Sequence, residues 1–115
     1  MNDLITRIVN AIIRQEGNSP NSWNPGNLRG APWYPQPIIS TGGFWIPPSR
    51  NAGVAGAAHV VALRIAEGQS LAQLISAWAP ESDGNATAAY IQNVKAWAEI
   101  PDETVPLWNF IGASE

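Results

Sequence analysis

Residues 3–17 read DLITRIVNAIIRQEG, and the spacing within this stretch decides the fold. Leu4, Ile8 and Ile12 stand four apart, and Glu16 takes the next step of the same row. Steps of four keep side chains on one helix face. Ile5, Val9 and Ile13 form a second row beside the first. The pattern predicts an amphipathic helix over residues 3–15, capped by Asn2 or Asp3 and stopped by Gly17. Glu16 is then aimed at the interior that shelters the aliphatic row, at the negative end of the helix dipole. Loss of water and the dipole both disfavour a charged carboxylate there. A carboxyl group that keeps its proton near neutral pH meets the requirement for a general acid. The plainer alternative is a helix-end carboxylate paired with Arg14, Arg29 or solvent.

Residues 17–50 differ in kind. They hold seven of the ten prolines and several glycines, and no helical period survives. The short runs 27–29, 37–39 and 44–46 read as brief strands, with Thr41-Gly42-Gly43 as a hairpin turn. A second helix is expected from Asn51 or Ala52 to Glu67, stopped by Gly68. Its sequence, AGVAGAAHVVALRIAE, is apolar on nearly every side, which predicts a central helix buried all round, with small residues admitting close neighbours. Ser70 and Gln73 have capping-box spacing, so a third helix starts at Leu71 and ends before Pro80. A fourth begins at Asn85 or Ala86, carries Tyr90, Val94 and Trp97 on one face, and closes at Ile100-Pro101. Residues 105–111 predict a last short helix packing Leu107, Trp108 and Ile111. The outline is a single domain over residues 1–115, mainly α (α+β), with a small antiparallel sheet after the first helix.

Composition excludes several function classes. The net charge of −3 gives no basic face for nucleic acid. The absence of cysteine removes disulfides, thiol catalysis and Cys-type zinc sites, and a single histidine gives no His cluster for a metal. Neither metal nor cofactor is expected. No run approaches the ~18 apolar residues of a membrane span. The opening MNDLITRIVNAII lacks a basic n-region and a cleavage site, so no secretory signal is visible.

The ordered segments AIIRQEG (11–17), NPGNLRG (24–30), GFWIPPSRNAG (43–53), GQSLAQLISAWAP (68–80) and DGNATAAYIQNV (83–94) resemble small phage and bacterial lysozyme-like peptidoglycan hydrolases, the E-G…N-P-G-N-[LI]-R type. The similarity spans nearly the whole chain. It implies a lysozyme-like fold, a cleft between the sheet and the helices, and cleavage of the β-1,4 bond between N-acetylmuramic acid and N-acetylglucosamine. Glu16 would be the general acid of a glycosidase with a muramidase (endolysin-like, bacteriolytic) activity. A lytic transglycosylase is the close alternative, and a non-catalytic glycan-binding or virion structural module the distant one. The partner would be peptidoglycan glycan strands, met by a monomer after export, lysis or phage delivery.

The remaining candidates each have a structural alternative. Asn27 and Arg29 would shape the edge of the active site, although Asn-Pro-Gly builds turns without any function. Pro25 and Gly26 are expected to be structural. Ser22 would bond near the acid. Ser40 and Thr41 would face the cleft from a strand end, where a hairpin turn explains them equally well. Trp23, Trp33, Tyr34 and Trp45 offer ring faces to sugars or a mini-core under the sheet, and Trp45 is taken as a sugar platform. Tyr90 resembles the tyrosine that faces the catalytic glutamate in related transglycosylase-like enzymes; otherwise it is a core aromatic. Asn85 reads as a helix cap and His59 as a buried, satisfied histidine. Trp78, Trp97 and Trp108 read as core. No Asp or Glu lies between Glu16 and Glu67, so a second carboxylate must come from Glu67, Glu81 or Asp83. Glu67 fits a pair with Arg64, and Glu81 and Asp83 fit a solvated loop.

Overall fold

The computed structural model describes residues 3–111. Asn2, one candidate cap, lies outside them. The first helix, α1, spans Asp3–Glu16. Its aliphatic row is the floor of the core: Leu4, Ile8 and Ile12 are fully buried. Gly17 ends it with φ 68, and its amide donates to Ile13 O at 3.2 Å.

The proline-rich segment holds one two-stranded antiparallel hairpin, β1 (Ile38–Ile39) and β2 (Trp45–Ile46), with Ile38 opposite Ile46 and Ile39 opposite Trp45. The turn falls at Thr41-Gly42-Gly43 as expected: Gly43 N donates to Ser40 O at 2.9 Å and Ser40 N to Phe44 O at 2.7 Å. The expected strand at 27–29 is absent. Asn27 adopts φ 54, which no strand tolerates, and Leu28 is claimed by the Asn24 side chain through both its N–H and its C=O, at 2.9 Å each. One ladder-like bond survives, Trp45 N to Leu28 O at 2.9 Å.

Helix α2 (Arg50–Ala66) starts at Ser49, whose hydroxyl accepts from Ala52 N. It is not buried all round. Gly53, Gly56, Ala57, Ala58, Val61 and Ile65 face inward, while His59 and Leu63 are exposed. The reason is the shortness of the hairpin, which covers only one side. His59 stacks on Trp33 at 4.8 Å between ring centroids instead of entering the core. The small residues do admit close neighbours: a Cβ at Gly53 would lie 1.7 Å from Trp23 O, and one at Gly56 2.7 Å from the Trp45 ring.

Helix α3 (Leu71–Trp78) carries the expected capping box of Ser70 and Gln73. A 3-10 turn at Glu81–Asp83 leads to α4 (Thr87–Trp97). Asn85 does not cap α4; its amide turns back to Pro80 O at 3.1 Å. The helix start is held by Thr87, whose hydroxyl donates to Ala79 O at 2.6 Å. Tyr90 and Val94 are buried, but Trp97 is exposed, with the Arg14 guanidinium 4.1 Å above its ring. At the C-terminus, Ile100 N bonds Lys95 O and Glu99 N bonds Ala96 O, the Schellman pattern, with Glu99 at φ 57. The last 3-10 turn, Leu107–Phe110, buries Leu107 but leaves Trp108 and Ile111 exposed, against expectation.

Helix α1 packs on α2 and α4, and α3 packs on α4. Their buried residues form the main core, including Val61, Leu71, Leu74, Ile75 and Val94. A satellite cluster of Leu28, Ala31 and Trp45, backed by Trp33, Tyr34, Val60 and Trp78, joins the hairpin to α2 and α3. Among the described residues no helix is long and apolar enough to cross a membrane.

Candidate functional site

The end of α1 delivers Glu16 to the junction between the helices and the proline-rich segment. Its side chain is half-buried. Each carboxyl oxygen has a neutral donor: Asn27 Nδ2 reaches Oε1 at 2.5 Å, and the Tyr90 hydroxyl reaches Oε2 at 2.6 Å. Neither Arg14 nor Arg29 takes the carboxylate. Arg14 lies on Trp97, and Arg29 lies over Phe44 at 4.5 Å and near Asp83 at 4.0 Å.

The turn Asn24-Pro25-Gly26-Asn27 sets Asn27 in place. It closes through Asn27 N to Asn24 O at 3.1 Å, and the Asn24 amide also ties it to Trp45 O at 2.9 Å. Pro25 and Gly26 are buried, as expected of structural residues, and the Trp78 indole N–H donates to Gly26 O at 2.9 Å. A Cβ at Gly26 would press to 3.2 Å of the Trp78 ring. Tyr90 comes from the far side, on α4. Burial, then the hydrogen bond and charge of Glu16, push its hydroxyl well above the usual tyrosine range. It therefore remains a phenol at any physiological pH, able both to donate and to accept.

Glu16 and Asn27 line a cleft of about 200 Å³ with Arg29, Phe44, Trp78, Ala79, Asp83 and Asn85. A larger, mostly apolar hollow of about 500 Å³ adjoins it, sharing Asn27, Arg29, Trp78 and Asp83 and continuing past Trp33, Val60 and Leu74. The larger hollow does not include Glu16. The two adjoin through these shared residues, with the Glu16 carboxyl, held by two neutral donors, in the smaller one, and Glu67, paired with Arg64, on the wall of the larger.

Of the residues expected to carry the site, the structure gathers Glu16, Asn27, Arg29 and Tyr90, and it adds Trp78, Asp83 and Asn85 to the cleft wall. Ser22, Ser40, Thr41 and Trp45 are not part of it. Ser22 spends its hydroxyl on Asn24 N at 3.2 Å and its carbonyl on Arg50 at 2.6 Å. Ser40 accepts from Phe44 N at 3.1 Å within the hairpin turn, and Thr41 is exposed at its tip. Trp45 is not a sugar platform: it is 2% exposed, because Leu28, Ala31, Trp33 and Tyr34 pack around its ring and Gly56 of α2 lets the helix close on it. Trp78, read as core, is half-buried and walls both hollows. Asp83, read as solvated loop, also lines the cleft, while Glu67 pairs with Arg64 at 3.1 Å. Asn18 escaped sequence reading altogether; its amide donates to Asn27 Oδ1 and Pro25 O. Its one signal was its place two residues after the acid.

Among the described residues no group of three or more His, Asp or Glu side chains is placed to hold a metal ion. No protein-family model, curated protein or solved structure matches this chain.

Proposed function

We propose that this protein is a lysozyme-like glycosidase that cleaves the β-1,4 bond between N-acetylmuramic acid and N-acetylglucosamine in peptidoglycan, with Glu16 as general acid. One observation carries this reading: a half-buried carboxyl in a groove, gripped on both oxygens by neutral donors from two different parts of the chain. Two neutral donors hold the side chain in one orientation without quenching it in an ion pair. Orientation is what proton transfer to a glycosidic oxygen requires. The larger hollow adjoining the cleft leaves room for more than one sugar ring, and the ring of Trp78 and the guanidinium of Arg29 offer stacking and hydrogen bonding to sugars.

The chemistry runs through an oxocarbenium-like transition state, in which Glu16 protonates the departing oxygen. In hydrolysis, Asp83 is the cleft's other carboxylate and the natural partner for charge or water. A second reading, a lytic transglycosylase, is favoured by the position of Asp83 itself. It is exposed and leans on Arg29, and the hairpin offers no carboxylate at all. Glu16 would then act alone, with the sugar's 6-hydroxyl as nucleophile. Mass spectrometry of digested cell wall separates the two, by a reducing muramic end or a 1,6-anhydro end. Glu16→Gln keeps the size and removes the acid, so cleavage should fall by about 10²–10⁴-fold while sedimentation with insoluble peptidoglycan persists. Wild-type protein that binds the wall but releases neither product anywhere between pH about 4 and 8 would instead be a glycan-binding or virion structural module.

A further inference from the structure

Two side-chain amides stand in series behind Glu16. Asn18 Nδ2 donates to Pro25 O at 3.2 Å and to Asn27 Oδ1 at 3.0 Å. Asn27 Nδ2 in turn donates to Glu16 Oε1 at 2.5 Å. A peptide carbonyl can only accept. Turning the Asn18 amide over would set oxygen against oxygen at Pro25, so Asn18 has one allowed orientation. It presents N–H to Asn27, which leaves Asn27 only its own NH₂ to offer Glu16. A backbone carbonyl three links away thus sets the direction of the whole chain of hydrogen bonds.

Oε1 therefore always meets an N–H. In a protonated carboxyl the carbonyl oxygen accepts well and the hydroxyl oxygen poorly. The acid form keeps Oε1 as its carbonyl oxygen and carries its hydrogen on Oε2. The Tyr90 hydroxyl, 2.6 Å from Oε2, suits both states, since it can donate to the carboxylate or accept from the acid. We infer that Asn18 is a positioning residue: by holding the Asn27 N–H toward Oε1, it dictates that the transferable proton of Glu16 sits on Oε2. Resting on the proposed glycosidase reading, the Oε2–H bond is the one that breaks. Its proton joins the glycosidic oxygen, which departs with the electron pair of the C1–O bond, and Glu16 is left as the carboxylate. Until substrate takes it, that proton rests against the Tyr90 oxygen, 2.6 Å from Oε2; were Asn27 reversed, its Oδ1 would draw the proton to Oε1 instead.

The test uses Asn18→Ala, which frees the Asn27 amide, and Asn18→Asp, which inverts it by offering only acceptors. Asn18 is exposed, so both variants should fold, and near-ultraviolet circular dichroism verifies this. The first readout is the Asn27 side-chain NH₂ pair in ¹H–¹⁵N spectra. The wild type should show one proton shifted downfield by its charge-assisted bond; both variants should return it toward the ordinary asparagine position. The second readout is cleavage of solubilised glycan strands, where kcat should drop about tenfold, the scale of one such bond, with KM nearly unchanged. Unmoved Asn27 signals in both folded variants overturn the inference. Moved signals with wild-type kcat reduce Asn18 to a structural residue and overturn its positioning role. A wild type that cleaves nothing sinks the glycosidase reading instead, and the amide spectra still decide the orientation.

Discussion

The bond from Tyr90 to Glu16 links the last long helix to the first, and its removal has a calculable effect. Tyr90→Phe deletes one hydroxyl and keeps the ring that packs at 4% exposure. A hydrogen bond to a charged group contributes about 1.5–3 kcal/mol, and a neutral one about 0.5–1.5 kcal/mol. Glu16 is half-buried beside an open cleft, so water replaces part of the lost partner. The expected cost is therefore about 1–2 kcal/mol, or a fall in Tm on the order of 5 °C for a domain of this size. Urea titration followed by circular dichroism gives the cost directly. A cycle with Glu16→Ala isolates the pair: Tyr90→Phe should cost much less once the carboxyl is gone. A coupling below about 0.3 kcal/mol would refute the claim that this bond ties α4 to the end of α1, and with it the geometry on which the proposed acid depends.

Three further expectations follow from other features. Tyr90 holds its proton in the folded state well beyond the usual tyrosine range, so the unfolded chain releases it first as pH rises through about 10. Stability should then decline with pH by up to about 1.4 kcal/mol per unit more in the wild type than in Tyr90→Phe; parallel alkaline unfolding curves would count against it. Gly53→Ala should destabilise by at least about 1 kcal/mol despite the gain in helix propensity, because its Cβ would meet the Trp23 backbone, whereas Gly30→Ala, which opens onto free space, should change the unfolding midpoint little. Asp83→Asn should leave stability unchanged, since its ion pair with Arg29 is long and exposed, yet lower the yield of reducing muramic ends at least about tenfold; an unaltered yield would remove Asp83 from the chemistry.

How much of this was legible beforehand depended on the range of the interactions. The boundaries of α1 and α3, the hairpin turn and the capping box are local, set by side chains within four or five residues of one another. They emerged where periodicity and turn chemistry placed them. The interior row that ends in Glu16 was legible for the same reason. The exposure of α2 was not, because an apolar helix face is buried only if something covers it, and the hairpin proved too short to do so. The burial of Trp45 was not legible either, because it depends on α2 presenting Gly56 to the ring and on Trp33 and Tyr34 packing beside it. Asn85 has the residue type of a cap, but α4 starts at Thr87 with Ala86 in the cap position, and the Asn85 NH₂ donates back to Pro80 O instead.

The sequence by itself determined an amphipathic first helix with a carboxyl at its inner end, a turn of Asn-Pro-Gly-Asn soon after, and a mainly helical chain with one small hairpin. Only the tertiary structure decided what that carboxyl touches. Asn27 is eleven residues away and Tyr90 seventy-four, and no local pattern measures either distance. Their meeting at Glu16 is a consequence of α4 packing across α1 and of Trp78 pinning the turn, contacts that the core makes and that periodicity cannot express.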